Sequence, residues 1–152
     1  MKKALLICLL GVLVLSAGFL YFKYEQQIFF TYTTKIMYPA SATDLRHEDS
    51  GPSFFGDGIE EFSFVISAEE IDSFSNEKPF GRAWQQGPYV NVRTKVAEDT
   101  PTQLSGSQQI QNTENILYSV EDFSPEGHTG QNFFLLVFDP ATGQVLFAED
   151  NS

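Results

Sequence analysis

Residues 133–148 read FFLLVFDPATGQVLFA, and this stretch decides the kind of fold to expect. Phe133 to Phe138 is an unbroken apolar run, Asp139 to Gly143 is a proline-containing turn ending in glycine, and Gln144 to Ala148 returns. That order predicts a β-hairpin with a loop of three to five residues. A strand apolar on both faces belongs inside a sheet, so Phe133 to Phe138 is expected to be central.

Working outward, Phe62, Phe64 and Ile66 alternate with Glu61, Ser63 and Val65, the period-two pattern of a strand with one buried face over Ile59 to Ile66. Glu60 and Glu61 mark its solvent side and its start. Ser67, with Glu70 three residues on, makes a capping box ahead of Ile71 and Phe74 and predicts a short helix. Lys78 to Gly87 is a connection whose aromatics, Phe80 and Trp84, are expected to cover one end of the core. Val90, Val92, Thr94 and Val96 alternate with Asn91, Arg93 and Lys95 as a further strand. Ala97 to Asn115 is polar and reads as a mobile loop. Ile116 to Phe123 fits a strand through Ile116, Tyr118 and Val120, and a helix through Ile116, Val120 and Phe123. Ser41 to Gly58 is turn-rich and reads as an ordered loop. The sum is an α+β domain: an antiparallel sheet of four or five strands with one or two short helices.

The amino terminus is of another kind. Lys2 and Lys3 precede 19 residues, Ala4 to Phe22, in which Ser16 is the only clearly polar member, and Lys23 follows. At about 1.5 Å per residue such a run nearly spans a hydrocarbon core of about 30 Å. Residues 1–23 are therefore expected to be a transmembrane signal anchor. The alternative is a cleaved signal peptide and a secreted domain, with Ser16, Ala17 and Gly18 small enough for a cleavage site. The continuation through Phe19, Leu20, Tyr21 and Phe22 favours the anchor, because Tyr21 and Phe22 place aromatics where an interfacial belt would lie. Residues 24–40 then form a juxtamembrane segment, continuing the helix or making a strand, and 41–152 the domain. Lys2, Lys3 and the terminal amine outweigh Lys23 and Lys35, which sets the amino terminus in the cytoplasm and the domain outside the cell membrane. Cys8 is the only cysteine, so the exported part folds without disulfides.

Beyond Lys23 the chain holds six basic and all 20 acidic residues, a balance of −14. Such a charge disfavours nucleic acid and anionic headgroups as partners and suits solubility, a basic protein partner or divalent cations. Candidate metal ligands are His47, Glu48, Asp49 and Asp57, although their spacing matches neither a calcium loop nor a zinc signature. His128 is isolated in a loop. The thiol of Cys8 falls within the apolar run, and no nucleophile elbow, phosphate loop or H-E-x-x-H helix is present, so no enzyme activity and no cofactor are expected. Trp84, with Phe80 and Tyr89, either closes the core or forms an exposed binding patch.

Asp49 to Ile66 reads DSGPSFFGDGIEEFSFVI and the chain closes on FDPATGQVLFAEDNS. These two segments, about a fifth of the chain, resemble a group of small membrane-anchored bacterial proteins. One of its marks is a D-x-H-G-G-F-x-G-D-G-like segment leading into a strand, which falls here on Asp49, Gly51, Phe55, Gly56, Asp57 and Gly58. The other is a C-terminal hairpin, matched here by Asp139, Thr142, Leu146, Phe147, Glu149 and Asp150. Where that group carries His-Gly-Gly, this chain has Gly51, Pro52 and Ser53. The resemblance implies a bacterial membrane location and an α+β fold, without a mechanism. Asp49, Phe55, Asp57 and Trp84 are the candidate binding residues of a membrane-tethered, extracytoplasmic interaction domain, immunity-like or an envelope accessory factor. The alternative is a domain that binds or senses a divalent cation.

Overall fold

A computed structural model describes residues 10, 11, 14, 16, 18, 24–49, 58–87, 110, 114–124 and 132–151. Helix α1 covers residues 24–34, and residues 10, 11, 14, 16 and 18 are also helical. There follow β1 (Thr43–Asp49), β2 (Gly58–Val65), α2 (Ala68–Ser75), a 3-10 turn (Pro79–Gly81), β3 (Gln85–Gln86), β4 (Leu117–Asp122), β5 (Asn132–Asp139) and β6 (Gln144–Asn151). The six strands form one antiparallel sheet in the order β1-β2-β6-β5-β4-β3. The fold is α+β.

The hairpin stands as expected, with β5 and β6 at the centre of the sheet. Its turn is fixed by Asp139, whose Oδ1 accepts from the Ala141 amide at 2.9 Å and whose Oδ2 accepts from the Thr142 hydroxyl at 2.8 Å. The Asp139 carbonyl accepts from the Gly143 amide at 2.9 Å, closing the loop. Gly143 takes φ 73°, and its own carbonyl accepts from the Ile66 amide at 2.9 Å. The turn is thereby stitched to the segment that leads from β2 into α2.

Register puts Phe147 between Phe62 of β2 and Leu136 of β5, so one face of the sheet is a continuous apolar floor. Phe30 and Ile36 from the α1 region, Phe74 from α2, and Phe80 and Trp84 from the following connection pack onto it. The other face buries Phe133, Leu135, Val137, Leu146 and Ala148 with Ile110 and Ile116. Burial of both faces explains why Glu61, expected at the solvent side, is only 5% exposed: its register partner is Ala148, on that second face.

Residues 24–34, open between helix and strand in the sequence, are helical. Thr34, fully buried, bonds back to the Phe30 carbonyl at 2.8 Å, and its hydroxyl also accepts from the Ile36 amide at 3.2 Å. Lys35 then takes φ 64° and ends the helix. Residues 116–123, equally ambiguous, supply β4.

Two expectations need correction. Thr43–Asp49, read within the loop from Ser41 to Gly58, is a strand, and the sheet has six strands where four or five were expected. The charged pattern of TDLRHED hides an edge strand, because such a strand needs no strongly apolar face and charges discourage pairing on its open side. The capping box of α2 is also not a direct one. Ser67 is the N-cap, but its amide donates to Ser41 Oγ at 3.0 Å, and that hydroxyl donates to Glu70 Oε2 at 2.8 Å. The strand expected at Val90 to Val96 lies outside the described residues, as does most of the loop expected from Ala97 to Asn115. The apolar run 4–22 is also largely outside them, and no helix among the described residues is long and apolar enough to cross a membrane.

Gly143 and Gly81 offer a paired test. A Cβ on Gly143 would meet the Ile66 carbonyl oxygen at 2.6 Å, whereas one on Gly81 (φ 75°) meets nothing within 4 Å. Gly81→Ala should cost about 1 kcal/mol, for left-handed backbone alone. Gly143→Ala should cost about 3 kcal/mol, because the backbone must also shift and weaken the Ile66 hydrogen bond. Urea unfolding of the detergent-solubilised full chain measures both.

Burial also pushes the Tyr38 phenol above its ordinary value of 10.0. The neutral phenol is favoured in the fold, so this contribution is intact below pH 10 and is lost as pH rises through the raised folded value. Tyr38→Phe should therefore lose less stability than the parent chain between neutral pH and the alkaline side of pH 10, as read by urea midpoints across that range.

Candidate functional site

His47, Glu48 and Asp49 all lie on β1, at the edge of the sheet, and not in a loop. The strand starts with a bulge, where Asp44 takes φ 52° and register shifts between Thr43 and Arg46. From there His47 pairs with Phe62, Glu48 with Glu61 and Asp49 with Glu60. Strand alternation sets positions 47 and 49 on one face of the sheet and position 48 on the other. His47 Nε2 lies 2.9 Å from Glu60 Oε1 on the neighbouring strand, with the two side chains 35% and 41% exposed. A pair that open to solvent contributes no more than about 1 kcal/mol. Its chemical content is a tie between β1 and β2 that strengthens when the imidazole is protonated.

Phe55 and Asp57, the other half of the candidate site, lie outside the described residues, as do Cys8 and His128. Among the described residues no group of three or more His, Cys, Asp or Glu is placed to hold a metal ion.

Trp84 belongs to another part of the fold. Its ring lies 5.9 Å from Phe74 and 6.2 Å from Phe138, half-buried over β5. That is three strands from β1, about 14 Å at ordinary strand spacing, so Trp84 and the β1 residues do not share a site. Trp84 closes the core, which is one of the two roles its sequence context left open. Its indole Nε1 is buried with no hydrogen-bond partner among the described residues. The backbone that presents it is unusual, since Phe80 takes φ 54° within the 3-10 turn. Phe80 stacks on Phe134 with ring centroids 6.4 Å apart.

Arg82, unmarked by any sequence pattern, bridges to β4. Its guanidinium lies 2.9 Å from Glu121 Oε2 and donates to the Val120 carbonyl at 3.4 Å. The Ser41 bridge between the start of α2 and the segment before β1 was likewise not legible, because it joins residues 26 and 29 positions apart.

Comparison with protein-family models, curated proteins and solved structures gives no match. The resemblance on Asp49 to Gly58 and on the closing hairpin therefore stands on those residues alone.

The placement of Trp84 makes a quantitative expectation. Trp84→Ala should lower unfolding free energy by about 2–3 kcal/mol, below the full cost of emptying a buried site because the residue is half-buried. Trp84→Phe should cost about half as much, since it keeps a ring against Phe74 and Phe138 and removes the unpartnered N–H. Equal stability of all three chains in urea would instead assign Trp84 to an exposed patch.

Proposed function

We propose that this chain is a non-enzymatic, single-pass bacterial membrane protein that presents an acidic α+β domain outside the cytoplasmic membrane to bind a protein partner there. Residues 1–23 serve as an uncleaved signal anchor, 24–40 as the juxtamembrane segment and 41–152 as the extracytoplasmic domain. The observation that carries the reading is the apolar run 4–22, within which the helical residues Leu10 and Val14 each leave 65% of their surface open. Lipid is the natural cover for such a surface.

The balance of −14 beyond Lys23 supports a basic partner, because a field of that sign steers cations and basic surfaces toward the domain. Tethering raises the effective concentration of the domain for anything that arrives at the membrane, which suits an immunity-like or envelope accessory role. Asp49, Phe55 and Asp57 remain the proposed contact residues. A divalent-cation sensor built on His47, Glu48, Asp49 and Asp57 is less favoured, since alternation along β1 separates position 48 from 47 and 49.

Two measurements on the full chain in bacterial membranes test this. After alkaline carbonate washing the protein should remain in the membrane pellet with its full mass of 17.1 kDa. A mass shortened to begin near residue 18, with the protein in the soluble fraction, would establish the secreted alternative. In the same membranes, cross-linking should join the domain to a basic protein, with a yield that falls at high salt and falls again for Asp49→Ala combined with Asp57→Ala.

A further inference from the structure

The face of α1 turned away from the sheet is apolar and has no cover within the domain. Tyr24, Ile28 and Tyr32 recur every four residues and so share one side of the helix, and they are 38%, 50% and 76% exposed. Phe30 and Thr34, on the opposite side, are fully buried. Met37, just past the helix, is 78% exposed. Lys35 lies over the Tyr32 ring at 4.5 Å, and its ammonium donates to the Tyr32 carbonyl at 2.6 Å.

Charge sets this stretch apart from everything after it. Residues 23–43 contain Lys23, Lys35 and one acid, Glu25, whereas residues 44–152 contain 19 acids and five basic residues. The one part of the exported chain that an anionic surface would not repel is thus the part that carries the exposed tyrosines and follows directly on the apolar run. Tyrosines with flanking lysines are the side chains that settle at a headgroup boundary, ring toward the acyl chains and polar tip toward water.

We propose that the Tyr24, Ile28 and Tyr32 face of α1, with Met37, docks on the lipid bilayer at the headgroup–acyl boundary, so that the domain lies against the membrane on this helix. The proposal rests on the anchor reading and adds a geometric consequence. Tyr32 is ten residues past Phe22, about 15 Å along a helix, while the headgroup layer is only about 5–7 Å deep. For Tyr32 to reach it, α1 must lie nearer to the membrane plane than to its normal. A helix leaving upright would leave Tyr32 in water.

The test is the depth of spin labels in the full chain, reconstituted in vesicles of mixed phosphatidylcholine and phosphatidylglycerol. Single cysteines are introduced in a Cys8→Ser background as Val14→Cys, Ile28→Cys, Tyr32→Cys, Met37→Cys and Ala141→Cys, the last on the exposed hairpin turn. Collision with oxygen is compared with collision with a soluble nickel chelate. Labels at 28, 32 and 37 should favour oxygen several-fold over the label at 141 and lie shallower than the label at 14. A deep label at 14 with water-like labels at 28, 32 and 37 overturns the docking proposal and leaves the anchor standing. A water-like label at 14 overturns both. Spin–spin broadening at 28 and 32 that disappears on dilution with unlabelled protein means that a second copy covers the face, and also overturns the proposal.

Discussion

Phe30 is the contact on which the helical layer depends. Its ring is fully enclosed and meets Phe64 at 5.4 Å, Tyr38 at 5.8 Å, Phe62 at 5.9 Å and Phe147 at 6.1 Å, three of them edge-on to within about twenty degrees. Burying one such side chain is worth about 3 kcal/mol. That contribution matters because α1 is a poor helix by composition: Thr31, Thr33 and Thr34 are β-branched, and a helix of this length is marginal on its own in water. Packing supplies what propensity lacks. Phe29 widens the seat by meeting Phe147 and Phe134, so the helix is held across β2, β6 and β5 together.

The parts of this architecture that were legible in the sequence are those whose pattern is local. The hairpin declares itself through an apolar run, an Asp-Pro-Ala-Thr-Gly turn and an apolar return. The strand around Phe62 and Phe64 declares itself through alternation. What was illegible depends on partners far away in the chain. Helix α1 reads equally as helix or strand until Phe30 finds the sheet, and β1 reads as a loop because its charges suit an edge and carry no period. Residues 116–123 become a strand because the apolar β5 offers a free ladder beside them, an influence that no window around Ile116 contains. The candidate binding residues were legible only as types: the sequence could not say that His47 reaches Glu60 across a strand pair, or that Trp84 lies over another part of the sheet.

The two borders of the sheet are protected by different means. On one side, β1 is charged along its length and bent at Asp44, features that discourage a further strand from adding. On the other, β3 covers only Leu117 and Tyr118, and Arg82 lays its guanidinium against the Val120 carbonyl while pairing with Glu121. A domain with so apolar a centre would otherwise offer an open ladder to its own copies. Both devices keep it from adding strands to itself, and they leave recognition of anything else to side chains.

The spacing between the apolar run and the core has a mechanical side. Phe22 closes the run, and Phe29 is already packed on the sheet, so only residues 23–28 stand between them. Tethered domains that search for distant partners hang on long, polar, glycine- or proline-rich leashes; six residues, five of them helical, give no slack. A tilt or rotation imposed on the run is therefore handed to the sheet as a lever hands on torque, and whatever grips residues 4–22 also sets the compass bearing of β1.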